Sequence, residues 1–196
     1  MKLAYLVPIF ILLLSLNFVV FDEGFYLSKD SDFEFYGEEV NNLLSYFQAG
    51  DLNEERYSEE EIIHLKDVKL LIWISIGLLL GLLISFVIYF KKINSKKFSL
   101  KGGIISLIFF GLVSLIFVNF SWSFRKFHEL LFWNDYWMLP IDSTLIQMFP
   151  QSFFVSAGIR IILYSFIVSF LLIIIGFIPK GEKNERDRKS TRLNSS

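Results

Sequence analysis

The stretch "LLIWISIGLLLGLLISFVIYF" (Leu70–Phe90) contains no charged residue over its whole length. An α-helix needs ~20 consecutive apolar residues to cross the ~30 Å hydrocarbon layer of a bilayer. The stretch shows no strand-like alternation of apolar and polar residues. In lipid, only helices and closed barrels satisfy their own backbone hydrogen bonds. Leu70–Phe90 therefore predicts a membrane-spanning helix.

Three further runs have the same character, at about Leu3–Val20, Gly103–Phe120 and Phe154–Ile178. The 196-residue chain is 54% hydrophobic and has a mean hydropathy of +0.51, both high for a soluble protein. The sequence thus predicts an all-α membrane protein with four transmembrane helices in a single domain, residues 1–179. The first run begins like a signal peptide, but bulky side chains follow it where a peptidase needs small ones. We expect it to be a retained helix.

The lysines predict how these helices are oriented. The segment Lys91–Lys101 joins the second and third spanning helices and contains five lysines, and residues 180–196 form a second basic, polar segment. Short basic loops stay in the cytoplasm. Both termini are therefore predicted to be cytoplasmic, with 180–196 as a cytoplasmic tail. Residues 21–69, which are acidic, and 121–153 remain as a small, mostly helical extracytoplasmic cap.

Local patterns predict the structure of the first cap region. The side chains of Val40, Leu43, Leu44 and Phe47 recur with helical spacing, so they form one apolar stripe. Gly50 is a suitable stop for this helix. The stripe would lie either on the membrane surface or against the bundle. The segment "FEFY" (Phe33–Tyr36) is predicted to be a short strand.

Two more helix starts can be read from capping residues. Ser58 and Glu61 have the spacing of a capping box, which predicts a helix that begins there and continues into the second spanning helix. On that helix Asp67 lies one turn after His64. Asp142 is the expected N-cap of a short helix over "STLIQMF", which Pro150 would end.

The chain has two histidines, His64 and His128, one in each cap region and each close to a spanning helix. Both are expected at the same depth, where they could meet. Histidine is the natural acid or base near neutral pH, although two single histidines can equally be structural.

Other catalytic patterns are absent from the sequence. His128 and Glu129 begin like a zinc-protease motif, but Phe132 stands where the second histidine is required. With no cysteine in the chain, we expect no metal site and no cofactor. No G-x-S-x-G motif marks a serine nucleophile.

The segment "KFHELLFWNDYWMLP" (Lys126–Pro140) is unusually aromatic. Its rings, with Trp122, either form a belt at the membrane interface or line a lipid-binding pocket, and the two are compatible. Arg125 and Lys126 are candidates for snorkelling to the interface. Arg160, inside the fourth spanning helix, would reach the interface, bind a polar ligand group, or pair with a carboxylate such as Asp135.

Two motifs then carry a resemblance. "HLKDVKLL" (His64–Leu71), followed after the next hairpin by "FHELLFWNDYWMLPIDSTLIQMFPQSFF" (Phe127–Phe154), resembles the bacterial integral membrane family that contains the lipoprotein intramolecular transacylase. The resemblance covers most of the chain, while the segment from Phe21 to Tyr57 matches only in general character.

The resemblance implies an acyltransferase that moves the sn-2 acyl chain of a diacylglyceryl lipoprotein to the α-amine of its N-terminal cysteine. The catalytic residues would be His64 and His128, acting on the extracytoplasmic side of the cell membrane. Diacylglyceryl lipoproteins and membrane lipid would be the partners, with no nucleic acid. Supporting roles fall to Asp67, Arg125, Asn134 and Asp135, and the substrate pocket would be lined by Phe127, Phe132, Trp133, Tyr136, Trp137 and Arg160.

The main alternative is a non-enzymatic membrane protein that binds lipid or lipoproteins through its aromatic outer surface. A transporter is less favoured, because the spanning segments contain almost no ionisable residues near their middle.

Overall fold

The computed structural model describes residues 2–29, 31, 33–89 and 94–178, and within them it contains helices and no strand. The α-helices are α1 (Val7–Val20), α2 (Glu23–Leu27), α3 (Tyr36–Phe47), α4 (Glu59–Tyr89), α5 (Ser95–Val113), α6 (Phe120–Leu131), α7 (Thr144–Met148) and α8 (Gln151–Phe177). Short 3-10 helices precede α1 (Lys2–Leu6) and follow α5 (Ser114–Asn119). The tail from residue 180 and Lys91 and Lys92 of the basic loop lie outside the described residues.

Within the described part of the chain four helices are long and apolar enough to cross a membrane, which confirms the predicted fold class. They are α1 with its 3-10 turn, α4, the segment Ser95–Leu131 from α5 to α6, and α8. Helix α4 is the longest single α-helix of the four, with 31 residues, or ~46 Å at 1.5 Å per residue. This length exceeds the ~30 Å of hydrocarbon. The first turns of α4, before Leu70, therefore project beyond the apolar run and hold His64.

Helices α5 and α8 pack closely in the bundle because small residues line their contact. Ser106 on α5 and both Ser165 and Ser169 on α8 are fully buried. A Cβ on Gly103 would lie 2.7 Å from the carbonyl oxygen of Ser169, so only glycine permits this approach. Small residues at such contacts let membrane helices approach closely. Helix α1 joins the bundle and buries Ile11.

The amphipathic helix α3 covers the cap end of the bundle. Its predicted stripe of Val40, Leu43, Leu44 and Phe47 is buried. The stripe belongs to an apolar cluster that includes Leu65 and Ile72 of α4 and Leu145 and Met148 of α7. The sequence left open whether the stripe lies on the membrane surface or against the bundle, and the structure packs it against protein.

Two local predictions were wrong. Phe33–Phe35 form a turn and Tyr36 begins α3, so "FEFY" is not a strand. Three apolar residues in four indicate burial but do not distinguish a strand from a helix entry. Helix α7 is capped by Ser143, whose side chain accepts from the backbone N–H of Ile146, and not by Asp142. Both residue types cap helices well, so spacing alone did not separate them.

The capping box at the start of α4 is confirmed. The backbone N–H of Ser58 donates to Glu61 Oε2 at 2.8 Å, and the backbone N–H of Glu61 donates to Ser58 Oγ at 3.3 Å. Pro150 ends the turn after α7 and provides the N-cap position of α8. The capping box and Pro150 therefore set where α4 and α8 begin at the cap.

Candidate functional site

The two histidines meet at the junction of the cap and the bundle. His64 lies in the second turn of α4 and His128 in the last turn of α6. Their ring centroids are 6.2 Å apart and their planes are inclined by 33°. At this separation one small polar group beside the rings can contact both imidazoles.

The orientation of His128 is fixed by its own helix. Asn119 caps the start of α6 by accepting from the backbone N–H of Trp122. One turn before the histidine, the backbone carbonyl of Phe124 lies 2.7 Å from His128 Nδ1. A carbonyl oxygen can only accept, so the proton of this bond is on Nδ1. In the neutral ring Nε2 therefore carries the free lone pair.

His64 differs because its Nδ1 is buried and has no hydrogen-bond partner within the described part of the chain. Leaving a buried polar atom unpaired costs ~1–3 kcal/mol, and such atoms are few in native structures. A ligand bound here can supply the missing hydrogen bond to His64 Nδ1.

Aromatic rings enclose the histidine pair. Phe132 contacts both imidazoles, at 5.0 Å from His64 and 5.5 Å from His128 between ring centroids. Phe124, Trp137 and Phe127 complete the surroundings of His128 at 4.3, 5.2 and 5.5 Å. Among residues 2–29, 31, 33–89 and 94–178, no carboxylate bonds to either imidazole. This apolar surrounding disfavours an imidazolium, so the neutral form of both rings is favoured.

Two hydrogen bonds attach the second cap region to α4 on either side of His64. Asn134 Nδ2 donates to Asp67 Oδ2 at 2.8 Å, and the backbone N–H of Leu145 donates to Glu61 Oε1 at 2.7 Å. Glu61, His64 and Asp67 are three residues apart and so lie near one face of the helix. The segment that carries Phe132 and Trp137 is thereby held against His64.

The sequence predicted supporting roles for Asp67 and Asn134 but not their contact with each other. It also identified the capping role of Glu61 but not the bond to Leu145. Both contacts join residues more than sixty positions apart, and no local pattern reports such pairing. The contact of Phe124 with His128 was accessible to sequence reasoning, because residues four apart are neighbours on a helix.

Several other predicted site residues point away from the pair. Arg125 is two-thirds exposed and bonds Glu129 through Nε at 2.9 Å. Trp133 is fully exposed, Tyr136 is 42% exposed, and Asp135 is also exposed. In the described ranges neither Trp133 nor Tyr136 makes a ring contact with a histidine.

Arg160 pairs with Asp22 and not with Asp135. Its Nη1 lies 2.8 Å from Asp22 Oδ2, and its guanidinium lies over the ring of Phe25 at 4.8 Å. Asp22 also caps α2 by accepting from the backbone N–H of Phe25. The ion pair thus connects α8 to the α1–α2 junction. The sequence missed Asp22 as the partner because 138 residues separate the two side chains.

No group of three or more His, Cys, Asp or Glu side chains that could hold a metal ion occurs among the described residues. The two imidazoles in their aromatic enclosure can take up and give back protons.

Comparison with known proteins relates the chain to one family. Residues 1–154 match the model of the family described as "Lipoprotein intramolecular transacylase Lit". A solved structure of the membrane integral lipoprotein intramolecular transacylase Lit from Bacillus cereus superposes with a TM-score of 0.74. It is 27% identical, and the match covers 87% of this chain and 88% of that one. A variant of the same protein, with a histidine replaced by arginine, matches at 25% identity and a TM-score of 0.73, covering 98% and 91%.

An uncharacterized protein of Aquifex aeolicus is 24% identical over 127 residues, which cover 63% of this chain and 58% of that relative. The family model covers well over half of the chain, and the similar solved structures are membrane integral. The chain is thus a multi-pass membrane protein that belongs to the lipoprotein intramolecular transacylase family, a family of acyltransferases.

Proposed function

We propose that this protein transfers the sn-2 acyl chain of a diacylglyceryl lipoprotein to the α-amine of that lipoprotein's N-terminal cysteine, with His64 and His128 as the catalytic pair. The observation that carries the proposal is the 6.2 Å separation of the two rings inside an aromatic enclosure. Family membership supplies the substrate class, and the histidine pair supplies the chemistry.

The reaction needs two proton transfers, one from the nitrogen and one to the oxygen that are bonded to the same carbonyl carbon. The amine nitrogen attacks the ester carbonyl carbon and forms the new C–N bond while it loses a proton. The C–O bond to glycerol then breaks, and the glyceryl oxygen gains a proton. The number of protons lost and gained is equal, so the reaction requires no water, metal or other reactant. Nitrogen and oxygen are both bonded to the tetrahedral carbon, so two nearby imidazoles can reach one each at ~2.6–3.2 Å.

The contacts of the two rings suggest different roles. The Nδ1–H of His128 donates to the carbonyl of Phe124, which leaves Nε2 free as a base and stabilises the ring once it is protonated. We therefore assign removal of the amine proton to His128. His64 has a buried ring nitrogen without a partner among the described residues and is assigned protonation of the departing glyceryl oxygen. The proton that His128 takes from the amine passes to His64 before the C–O bond breaks, so His64 donates it as an imidazolium and both rings end the turnover neutral.

The aromatic enclosure serves orientation and exclusion of water. Donor and acceptor belong to one molecule, so the main task is to fold a flexible glycerol into the reactive geometry. Well-oriented intramolecular reactions gain up to ~7–11 kcal/mol from such positioning. Phe132, which contacts both imidazoles, is placed to narrow the chamber. Water, which would hydrolyse the ester, is kept out by the same rings.

A crossover experiment tests the proposed reaction. Purified protein in nanodiscs receives two diacylglyceryl lipopeptides together, one with a deuterated sn-2 acyl chain and one with a heavy-isotope peptide. Tandem mass spectrometry then locates each acyl chain. Intramolecular transfer moves the acyl chain from glycerol to the amine with no change in total mass and no doubly labelled product.

Two results would contradict the proposal. Doubly labelled product would indicate transfer between molecules and a common acyl pool. Unchanged substrate, with folded protein that still binds the lipopeptide, would favour the alternative of a non-enzymatic lipid- or lipoprotein-binding protein.

A further inference from the structure

The outward side of α6 is apolar although it lies beyond the predicted third spanning segment, Gly103–Phe120. Trp122 is 60% exposed, Leu130 is 79% exposed and Trp133, just after the helix, is fully exposed. Trp122, Lys126 and Leu130 recur every four residues, so they lie on one side of the helix. We call Trp122, Leu130 and Trp133 the outer face of α6.

We propose that the outer face of α6 lies in the headgroup layer of the membrane, on the side of the bundle that carries the cap. Its occupant would be phospholipid and not another protein. The inference does not depend on the chemistry assigned to the histidines.

The outer face of α6 continues the exposed apolar surface of the bundle. Leu115 and Val118, in the 3-10 helix that ends α5, are 61% and 84% exposed. Asn119 then leaves the helical conformation and caps α6, so the chain starts a new helix at this point. Trp122 follows within one turn. An apolar surface thus runs without interruption from the end of the predicted spanning segment onto α6.

The composition of the outer face of α6 is typical of a membrane interface. Tryptophan concentrates at the membrane interface, since its ring is apolar and its N–H is polar. Helices that lie in the interface combine apolar side chains on one side with basic residues that can meet lipid phosphates. Lys126 lies between Trp122 and Leu130, and Arg125 lies beside it. Both bond Glu129, which leaves one net positive charge on this part of α6.

The face also has a consequence for the histidine pair. Phe124 and His128 are on the other side of α6, and only 8% of the surface of His128 is exposed. A helix with its side chains is ~10–12 Å across. If the outer face contacts headgroups, His64 and His128 lie about one helix diameter from them. On the proposed function, this is where the ester of a membrane-anchored diacylglyceryl group would be available.

The absence of cysteine from the chain permits a direct test. Single cysteines replace Trp122, Leu130 or Trp133, each carrying one nitroxide spin label, in vesicles that contain anionic phospholipid. The collision of each label with oxygen, which dissolves in lipid, and with a water-soluble nickel chelate is measured. Leu78, on the exposed side of α4, is the lipid control, and Glu55, in the exposed loop before α4, is the water control.

The proposal predicts that labels at all three positions collide with oxygen more often than the Glu55 label and with nickel less often. Their depth should be shallower than that of the Leu78 label. Nickel collision equal to that at Glu55 would overturn the proposal. So would labels that neither reagent reaches, because a protein, such as a second copy of this chain, would then cover the face. Three independent positions protect the test against one variant that fails to fold, and acyl transfer is not the readout.

Discussion

Asn134 donates a hydrogen bond of 2.8 Å from Nδ2 to Oδ2 of Asp67, across 67 positions of the chain. This contact joins the loop after α6 to the first turns of α4. It lies one turn beyond His64, and the loop that it holds contains Trp137, which packs on His128. The contact therefore couples the two elements that carry the histidine pair.

Replacing Asn134 or Asp67 is expected to loosen the packing around the two histidines. A hydrogen bond to a charged group contributes ~1.5–3 kcal/mol, so Asn134→Ala and Asp67→Ala should each lower the acyl-transfer rate by ~10-fold or more. Asp67→Asn keeps an acceptor oxygen and should retain more activity. The double variant should be no slower than the slower single variant. Rate losses that add in the double variant would mean that the two residues act separately.

Glu61 lies one turn before His64 on α4, as Asp67 lies one turn after it. Its buried carboxylate accepts backbone N–H groups from Ser58 and Leu145. Glu61→Gln leaves one acceptor oxygen for two donors, and we expect the free energy of unfolding of the cap to fall by ~1–3 kcal/mol. Ser58→Ala is the matched control, since it removes only the helix cap, worth ~1 kcal/mol.

Hydrogen exchange at the α7 backbone measures this effect. Glu61→Gln should increase exchange in α7, whereas Ser58→Ala should affect mainly the start of α4. Equal exchange of α7 in both variants would show that the Glu61–Leu145 contact contributes nothing beyond the cap.

Glu39 should make the stability of α3 depend on pH. Burial alone would raise the pKa of this carboxyl, but hydrogen bonds from Asn42, Tyr57 and Arg56 outweigh it and lower the pKa below its ordinary value of 4.5. The unfolded cap therefore binds a proton more readily than the folded cap. The stabilisation is fully present above pH ~4.5 and is lost as the pH falls through the lowered pKa.

Limited proteolysis between pH 6 and pH 3, with an acid-tolerant protease, checks this dependence. Cleavage near α3 should accelerate only at the acidic end in the natural sequence. Glu39→Gln removes the carboxyl, so its cleavage should be faster at pH 6 and should change little on acidification. An identical acid response in both proteins would exclude Glu39 as the cause.

The sequence was most informative where structure depends on local order. Long apolar runs predicted all four spanning helices because lipid forces each segment to satisfy its own backbone. The capping box of Ser58 and Glu61 and the apolar stripe of α3 also depend on neighbours within two turns. The two histidines could be placed at one depth because each adjoins the cap end of a spanning helix.

What the sequence could not supply are contacts between distant elements. The partner of Arg160 was Asp22, not Asp135, because the pairing is set by the packing of α8 on the α1–α2 junction. Composition alone could not show which aromatic residues of Lys126–Pro140 contact the histidines and which are exposed. The structure places Phe132 and Trp137 at the histidines and exposes Trp133 to the surroundings.

The roles assigned to the two histidines can be separated by changing the leaving group. In a substrate whose sn-2 ester is a thioester, the departing sulfur needs little help from an acid, because thiols have a pKa of ~8.5. His64→Ala should therefore lose much less activity on the thioester than on the ester. His128→Ala should remain impaired on both, since the amine proton must still be removed. Equal recovery of the two variants would contradict the assignment.

The most direct test of the histidine pair is the single-turnover rate of acyl transfer in His64→Ala, His128→Ala and the double variant. Each is compared with Tyr136→Phe, a change at an exposed ring. Mass spectrometry of the lipopeptide measures the fraction with an N-acyl cysteine at each time. Because positioned proton transfer contributes ~10²–10⁴-fold, both single variants should lose activity by that factor, and the double variant should lose less than the product of the two. A folded variant of either histidine that transfers the acyl chain at the natural rate would contradict the account.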